Sequence, residues 1–190
     1  MSFDRQIRAY RDTDRDHAIA LFEAGNADYR SADTAAHFDT YMRRARSGEI
    51  DRLGDSFAER GGRIWMVEQG SDVVGMFGLE PETRTTMQLR RLYVTPRVQG
   101  TGLAQWMLAR AEEKARALGA QRLSLTTSAH QVRAIRLYQR HGYDMRPDVQ
   151  ARHPLRSLRA DTGKLSGLKT LASEQLPLSV TSPFQGVCHV

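Results

Sequence analysis

LYVTPRVQGTGLAQWMLARAEEKARALG, residues 92–119, decides how this chain folds. Its opening residues finish an apolar strand pattern, Pro96 and the turn Gly100-Thr101-Gly102 interrupt it, and a helical pattern follows at once. Leu103, Met107, Leu108, Ala111, Ala115 and Leu118 recur at helical spacing, Glu112 and Arg116 sit four apart on the opposite face, and Gly119 stops the helix. Glycine allows unusual backbone dihedrals and a close approach to a ligand. The first amides of a helix lack intrahelical partners and its dipole favours negative charge there, so this turn suits a pyrophosphate. Two glycines before a helix also describe an ordinary tight loop. No Gly-Lys-Ser/Thr follows and the third glycine of the dinucleotide fingerprint is missing, which makes ATP and NAD poor candidates.

Upstream, Thr86–Val94 reads as a strand with an irregularity. Met87 and Leu89 share one face, but Leu92 and Val94 fall one residue out of phase, so a β-bulge near Arg90 and Arg91 is predicted to restore a common inward face. RIWMVE (63–68) and DVVGMFGL (72–79), separated by Gln69-Gly70-Ser71, form a hairpin, and the three strands make an antiparallel meander. The polar run SGEIDRLGDSFAERGG (47–62) reads as loop or short helix. Before it, residues 33–46 carry a helical stripe of Phe38, Tyr41, Met42 and Ala45. QIRAY (6–10) alternates as a strand, and Thr13 and Asp16 are spaced like a capping box for a helix that buries Ala18, Ile19, Leu21 and Phe22 and closes near Gly25.

Downstream, Arg122–Thr126 reads as a strand reached by a helical crossover, and Gln131–Arg140 as another helix ended by His141 and Gly142. Hairpins followed by a crossover imply an α/β (α+β) domain: a mixed, mainly antiparallel sheet flanked by helices. Residues 1–147 form this domain and 148–190 a C-terminal extension, weakly structured or supplying a last strand. Within the extension, a weak helix is expected near Leu165–Ala172 and a strand at Leu176–Val180.

At 190 residues, with 40% hydrophobic and 26% charged residues, the chain suits one globular domain. It shows neither a secretory signal nor a stretch of roughly 18 apolar residues, so a cytoplasmic protein without membrane contact is expected. Cys188, the sole cysteine, cannot form an internal disulfide, and the six histidines show no metal-collecting spacing. His130 reads as a cap or surface residue more readily than as a base. The net charge of +6 fits a polyanionic small molecule as well as nucleic acid. Its sparse basic tail favours simple solvation over nucleic-acid binding. Oligomeric state stays open, a homodimer included.

Arg97-Val98-Gln99-Gly100-Thr101-Gly102, preceded by LYVTP, resembles the R/Q-x-x-G-x-G/A loop of the GNAT superfamily of N-acetyltransferases. LTTSAHQVRAIRLYQRHGYDM (125–145) resembles the helix that follows that family's fifth strand. The likeness covers roughly Ile7 to Met145, and SGEIDRLGDSFAERGG before RIWMVE, together with TTSAHQ before AIRLY, looks most like the camello-like branch, whose members acetylate amino groups of small molecules such as amino acids or cysteine conjugates. It implies acetyl-CoA as cosubstrate, no metal, and a small-molecule or peptide amine as acceptor. By that resemblance Leu92, Tyr93 and Val94 would line the pantetheine arm, residues 97–102 with Leu103 would hold the pyrophosphate, and Gln131 and Ala134 would complete the site. Tyr138 would protonate the leaving thiolate, although Ala134, Ile135, Leu137 and Tyr138 also make a packing stripe. Three positions depart from the family pattern. Gln99 stands where Arg is frequent, Gln131 where Asn is usual, and Gln88 where many members carry a basic Glu, leaving Glu80 and Glu82 as substitutes, with Glu80 preferred. The departures keep a second reading alive, a catalytically weak acyl-CoA-binding module.

Overall fold

The computed structural model describes residues 4–27, 35–129, 131–147 and 164–171. Seven strands form one sheet: β1 (Arg5–Ala9), β2 (Arg63–Gln69), β3 (Asp72–Pro81), β4 (Thr86–Val94), β5 (Arg122–Ser128), β6 (Asp144–Pro147) and β7 (Lys164–Thr170). Their spatial order is β1-β2-β3-β4-β5-β7-β6, antiparallel throughout except for the β4–β5 pair. Among the described residues, five helices cover the two faces: α1 (Arg15–Asn26), α2 (Ala35–Gly48), α3 (Leu53–Ala58), α4 (Leu103–Ala117) and α5 (Val132–Arg140).

Two apolar clusters, one on each face, hold the layers together. Ala18, Leu21 and Phe22 of α1 join Ile50, Leu53 and Phe57 over Ile64, Met66 and Met76. On the other face Leu103, Met107, Leu108, Ala111 and Ala115 of α4 pack on Phe77, Leu79, Met87, Leu89, Leu123 and Leu125. Fully burying a Leu or Met contributes about 1.5–3 kcal/mol, so the helical spacing of α4 is what ties β4 to β5. The polar run after α2 becomes a 3-10 turn and α3 because Ile50, Leu53 and Phe57 are each almost wholly buried.

Two local expectations are corrected. The first helix is preceded by a 3-10 turn at Asp12–Asp14, where the Asp14 carboxylate accepts the Arg11 N–H at 2.8 Å; Thr13 and Asp16 do not form the cap. That helix ends at Asn26, next to Gly25 as the sequence predicts, and Gly25 also allows close packing, since a Cβ there would strike the Tyr93 ring. The helix expected near Leu165 is strand β7. Leu165, Leu168 and Leu171 mimic a helical period, but β7 pairs with β5 on one edge and β6 on the other, and that pairing overrides local preference. The strand expected at Leu176–Val180 lies outside the described residues, as do His130 and Cys188.

Glu112 and Arg116 do pair, at 3.7 Å, and Glu112 is buried as well. It is 7% exposed, accepts both its Lys169 bonds at 2.8 Å and a bond from the Tyr143 hydroxyl at 3.2 Å, and so ties α4 to β7. Burial, then the Glu112 charge, push the Tyr143 phenol well above its ordinary range, which keeps it a neutral donor. Lys169→Met should lower unfolding free energy by about 1–3 kcal/mol in denaturant titration, because a buried carboxylate loses its cation. Adding Glu112→Gln should recover part of that loss.

Candidate active site

β4 and β5 pair over Thr86–Leu89 against Arg122–Leu125 and then part. β4 continues along β3 to Val94, and β5 continues along β7 to Ser128. Past Leu89 the facing edges of the two strands therefore have no strand partner between them, and backbone donors and acceptors are left for a ligand.

The parting depends on a bulge. Gly78 pairs with Arg90 and Met76 with Tyr93, so Phe77 faces two residues, Arg91 and Leu92. Arg91 has φ +57°, the sole positive φ at a non-glycine among the described residues. Such backbone costs about 1 kcal/mol or more for a branched or bulky chain and persists where neighbours hold it. Here Glu49 does so, accepting Arg91 Nε at 3.1 Å and Nη2 at 2.8 Å, while the guanidinium lies 5.5 Å from the Phe22 ring centre. The bulge returns Leu92 and Val94 to the α4 face, as the phase of the sequence predicts, and sends Tyr93 to the other.

The turn after β4 stands at the mouth of this opening. Pro96–Val98 forms a 3-10 turn, Val98 is buried, and Thr101 Oγ1 donates to the Val98 carbonyl at 2.7 Å. Gly100 and Gly102 both take φ +79°, a left-handed conformation that glycine adopts without penalty. The first α4 bond runs from the Trp106 N–H to the Gly102 carbonyl at 3.0 Å, which leaves the amides of Leu103, Ala104 and Gln105 without intrahelical partners. At the foot of the turn the buried Thr95 Oγ1 also lacks a partner. Several free amides at a helix N-terminus, reached through a glycine turn, fit a pyrophosphate.

α5 closes the same side. Gln131 donates its N–H to the Ser128 carbonyl at 2.9 Å, and its side-chain oxygen accepts the Thr127 hydroxyl. Ala134 and Leu137 pack on the α4-side cluster, and Tyr138, 8% exposed, lies 5.8 Å from the Tyr143 ring. Sequence reading misses Arg133, which donates to Gln99 Oε1 at 3.1 Å and puts a guanidinium beside the turn. No spacing rule links residues 34 apart in this way. Arg97 pairs with Asp72 at 2.6 Å, an exposed contact worth little and readily exchanged for a phosphate.

Glu80 stands apart from these residues. It lies on the face shared with Arg90, 7% exposed, accepting Arg60 Nε at 2.6 Å and Arg90 Nη1 at 2.7 Å. Both its oxygens are thus engaged with guanidinium groups. Gln88 pairs across from Glu80 on one side and Ser124 on the other, and the Ser124 hydroxyl donates to Glu82 at 2.6 Å. Among the described residues no group of three or more His, Cys, Asp or Glu could hold a metal ion, and no helix is long and apolar enough to cross a membrane.

A mixed sheet that opens between two strands beside a glycine turn and a helix N-terminus defines an α/β protein shaped for an extended polyanionic ligand. The chain belongs to the acetyltransferase (GNAT) family, whose model matches residues 20–143. Over 98 residues it is 34% identical to the uncharacterized N-acetyltransferase YjgM of Escherichia coli (strain K12), covering 50% of this chain and 59% of that relative. The aligned part thus spans less than two thirds of that relative's length. The fold is shared with the PaiA N-acetyltransferase of Thermoplasma acidophilum in complex with coenzyme A, at TM-score 0.66, 14% identity and coverage of 88% of this chain and 99% of that one. It is also shared with yncA of Salmonella typhimurium with acetyl-CoA, at TM-score 0.59, 18% identity and coverage of 92% and 98%.

The half-buried ion pair behind the bulge should be visible in acid. Burial alone would raise the Glu49 carboxyl, but the Arg91 bonds and the charges of Arg91, Arg90 and Arg60 outweigh it and hold it below its ordinary value of 4.5. A depressed carboxylate stabilises the fold above its unfolded pKa and ceases to as pH falls through its folded one. Melting temperature should stay level down to about pH 5 and then fall, and Glu49→Gln should lower the neutral-pH stability by about 2 kcal/mol while flattening that acid limb.

Proposed function

We propose that this chain transfers the acetyl group of acetyl-CoA to the amine of a small molecule or peptide. The observation that carries this reading is the opening between β4 and β5 beyond Leu89, next to unpartnered amides at the α4 N-terminus. The amides of residues 97–103 would hold the pyrophosphate, with Arg133 supplying charge that Gln99 lacks. The pantetheine arm would run along the free edge at Leu92, Tyr93 and Val94, with Gln131 and Ala134 across from it. An extended chain entering from the α4 side would present its thioester on the opposite face, where the acceptor arrives.

The amine nitrogen then attacks the thioester carbon, the C–N bond forms, and the C–S bond breaks. A fixed N–H near Val94 would stabilise the oxyanion between these events. The departing thiolate takes its proton from the Tyr138 phenol, and the amine loses one proton. Gln88 cannot accept that proton, and the engaged oxygens of Glu80 favour an anchoring role for it, with water carrying the proton away. The camello-like stretch before α5 supports a small-molecule acceptor. Gln88 and the engaged Glu80 also favour the second reading, an acyl-CoA-binding module with weak turnover.

Acetyl-CoA at millimolar concentration should raise the melting temperature, since it binds only the folded chain. Amine-dependent release of free thiol separates the two readings, and binding without release selects the module. Gly102→Val should weaken CoA binding in calorimetry, because the branched residue resists φ +79°. Tyr138→Phe keeps the packing area and should cut turnover by about tenfold to a thousandfold with acetyl-CoA affinity and melting temperature nearly unchanged. Turnover within about twofold of the parent would assign Tyr138 to the core alone.

A further inference from the structure

An amine that attacks a thioester must give up a proton, and a carboxylate is the ordinary group to take it. Glu49, Glu80 and Glu82 all lie on the sheet face opposite α4, but they are not equally free. Glu49 is held by Arg91, Arg90 and Arg60, and Glu80 by Arg60 and Arg90, so every oxygen of the two is engaged with a guanidinium. Protonating either would forfeit its charge-assisted bonds. Glu82 differs. Its Oε2 accepts the Ser124 hydroxyl at 2.6 Å, the residue is exposed, and among the described residues no guanidinium pairs with it.

Local structure fixes where that carboxylate stands. Leu123 and Leu125 pack under α4, so Ser124 between them turns to the other face and holds Glu82 there. A longer contact from the same hydroxyl to the Met87 carbonyl, at 3.4 Å, keeps it at the seam between β4 and β5. The turn after β3 is closed by the Glu82 N–H donating to the Thr86 carbonyl at 3.0 Å and by the Thr86 N–H donating to Thr83 Oγ1 at 3.1 Å. Gln88 pairs with Ser124, so Glu82 brings a carboxylate to the row where Gln88 supplies none. This row is at the closed end of the seam. Thr126, the next β5 residue on that face, is exposed and lies just past Leu125, the last residue paired with β4. Two strand residues span about 7 Å, a distance that one or two waters bridge. The other charged residues of the adjoining elements are Arg90, Arg60 and Glu80, which engage one another, Arg84 in the turn, and Arg122 two residues before Ser124.

We propose that Glu82 takes the proton of the acceptor amine through water, and that Ser124 is the residue that positions it. This rests on the acetyl-transfer reading and deepens it by naming where the proton goes. As the nitrogen bonds to the thioester carbon it passes a proton to a water at the opening, and that water passes one to the Glu82 carboxylate. The amine ends one proton poorer and Glu82 one richer, with the water unchanged. Glu80, which the sequence favours for this task, instead ties Arg60 to Arg90.

Glu82→Gln separates basicity from bracing, because the amide oxygen still accepts from Ser124 while the basic oxygen is gone. The assay is thiol release from acetyl-CoA with the best acceptor from a panel of alkylamines, arylalkylamines and amino acids. Turnover of Glu82→Gln should fall by about tenfold to a hundredfold near neutral pH, and the deficit should shrink in alkaline buffer, where hydroxide removes the proton instead. KM for acetyl-CoA and the melting temperature should stay close to those of the parent. Ser124→Ala should show a smaller deficit with the same pH form. Adding Gln88→Glu to Glu82→Gln returns a carboxylate to the same row and should recover part of the lost turnover. Glu82→Gln turnover within about twofold of the parent at every pH overturns the proposal. So does a deficit that is equal at all pH values or that comes with a lower melting temperature, which would make the pair a brace between the turn and β5. A parent that binds acetyl-CoA but releases no thiol with any amine shows that the acetyl-transfer reading has failed, and the proposal falls with it.

Discussion

The Arg91–Glu49 ion pair is the contact on which the architecture turns. β4 has to remain paired with β3 to its end while leaving β5 after Leu89, and a regular strand cannot do both. An extra residue bends β4 away, and the bend requires left-handed backbone at a large side chain. Two hydrogen bonds to the half-buried Glu49 carboxylate hold that backbone in place. The strain at the bulge thus sits beside the opening it creates, and the same ion pair gathers Arg90 and Arg60 around it.

A sheet joined at its centre by four residue pairs would close or come apart unless each half were stable by itself. The first half, β1 to β4, is a meander with apolar clusters on both faces. The second half borrows β7 from far along the chain and places it between β5 and β6. Glu112 on α4 meets Lys169 on β7 and Tyr143 before β6, so the helix that starts at the glycine turn also anchors the distant strand. Glycine turn, opening and second half-sheet are in this way one mechanical unit.

The charge around the turn illustrates how a site can keep its character when single positions change. Gln99 contributes no charge, but it accepts from Arg133 on α5, which brings a guanidinium beside the turn from another element. Arg97 is held in reserve by Asp72 at the surface. The backbone amides at the α4 N-terminus are left intact by substitution of side chains.

Local patterns determined much of this protein. The out-of-phase pair Leu92 and Val94 located the bulge, the helical spacing from Leu103 to Ala115 located α4, and the glycine turn between them located the loop, because each of these depends on residues close in the chain. Tertiary structure alone decided what distant residues do to one another. It made a strand of Lys164–Thr170 by filling both its edges, buried Glu112 against Lys169, brought Arg133 to Gln99, and occupied both oxygens of Glu80 with arginines. Periodicity records which face of an element is apolar, whereas ion pairs and strand pairing are settled by which elements meet, and that is fixed only when the two half-sheets assemble.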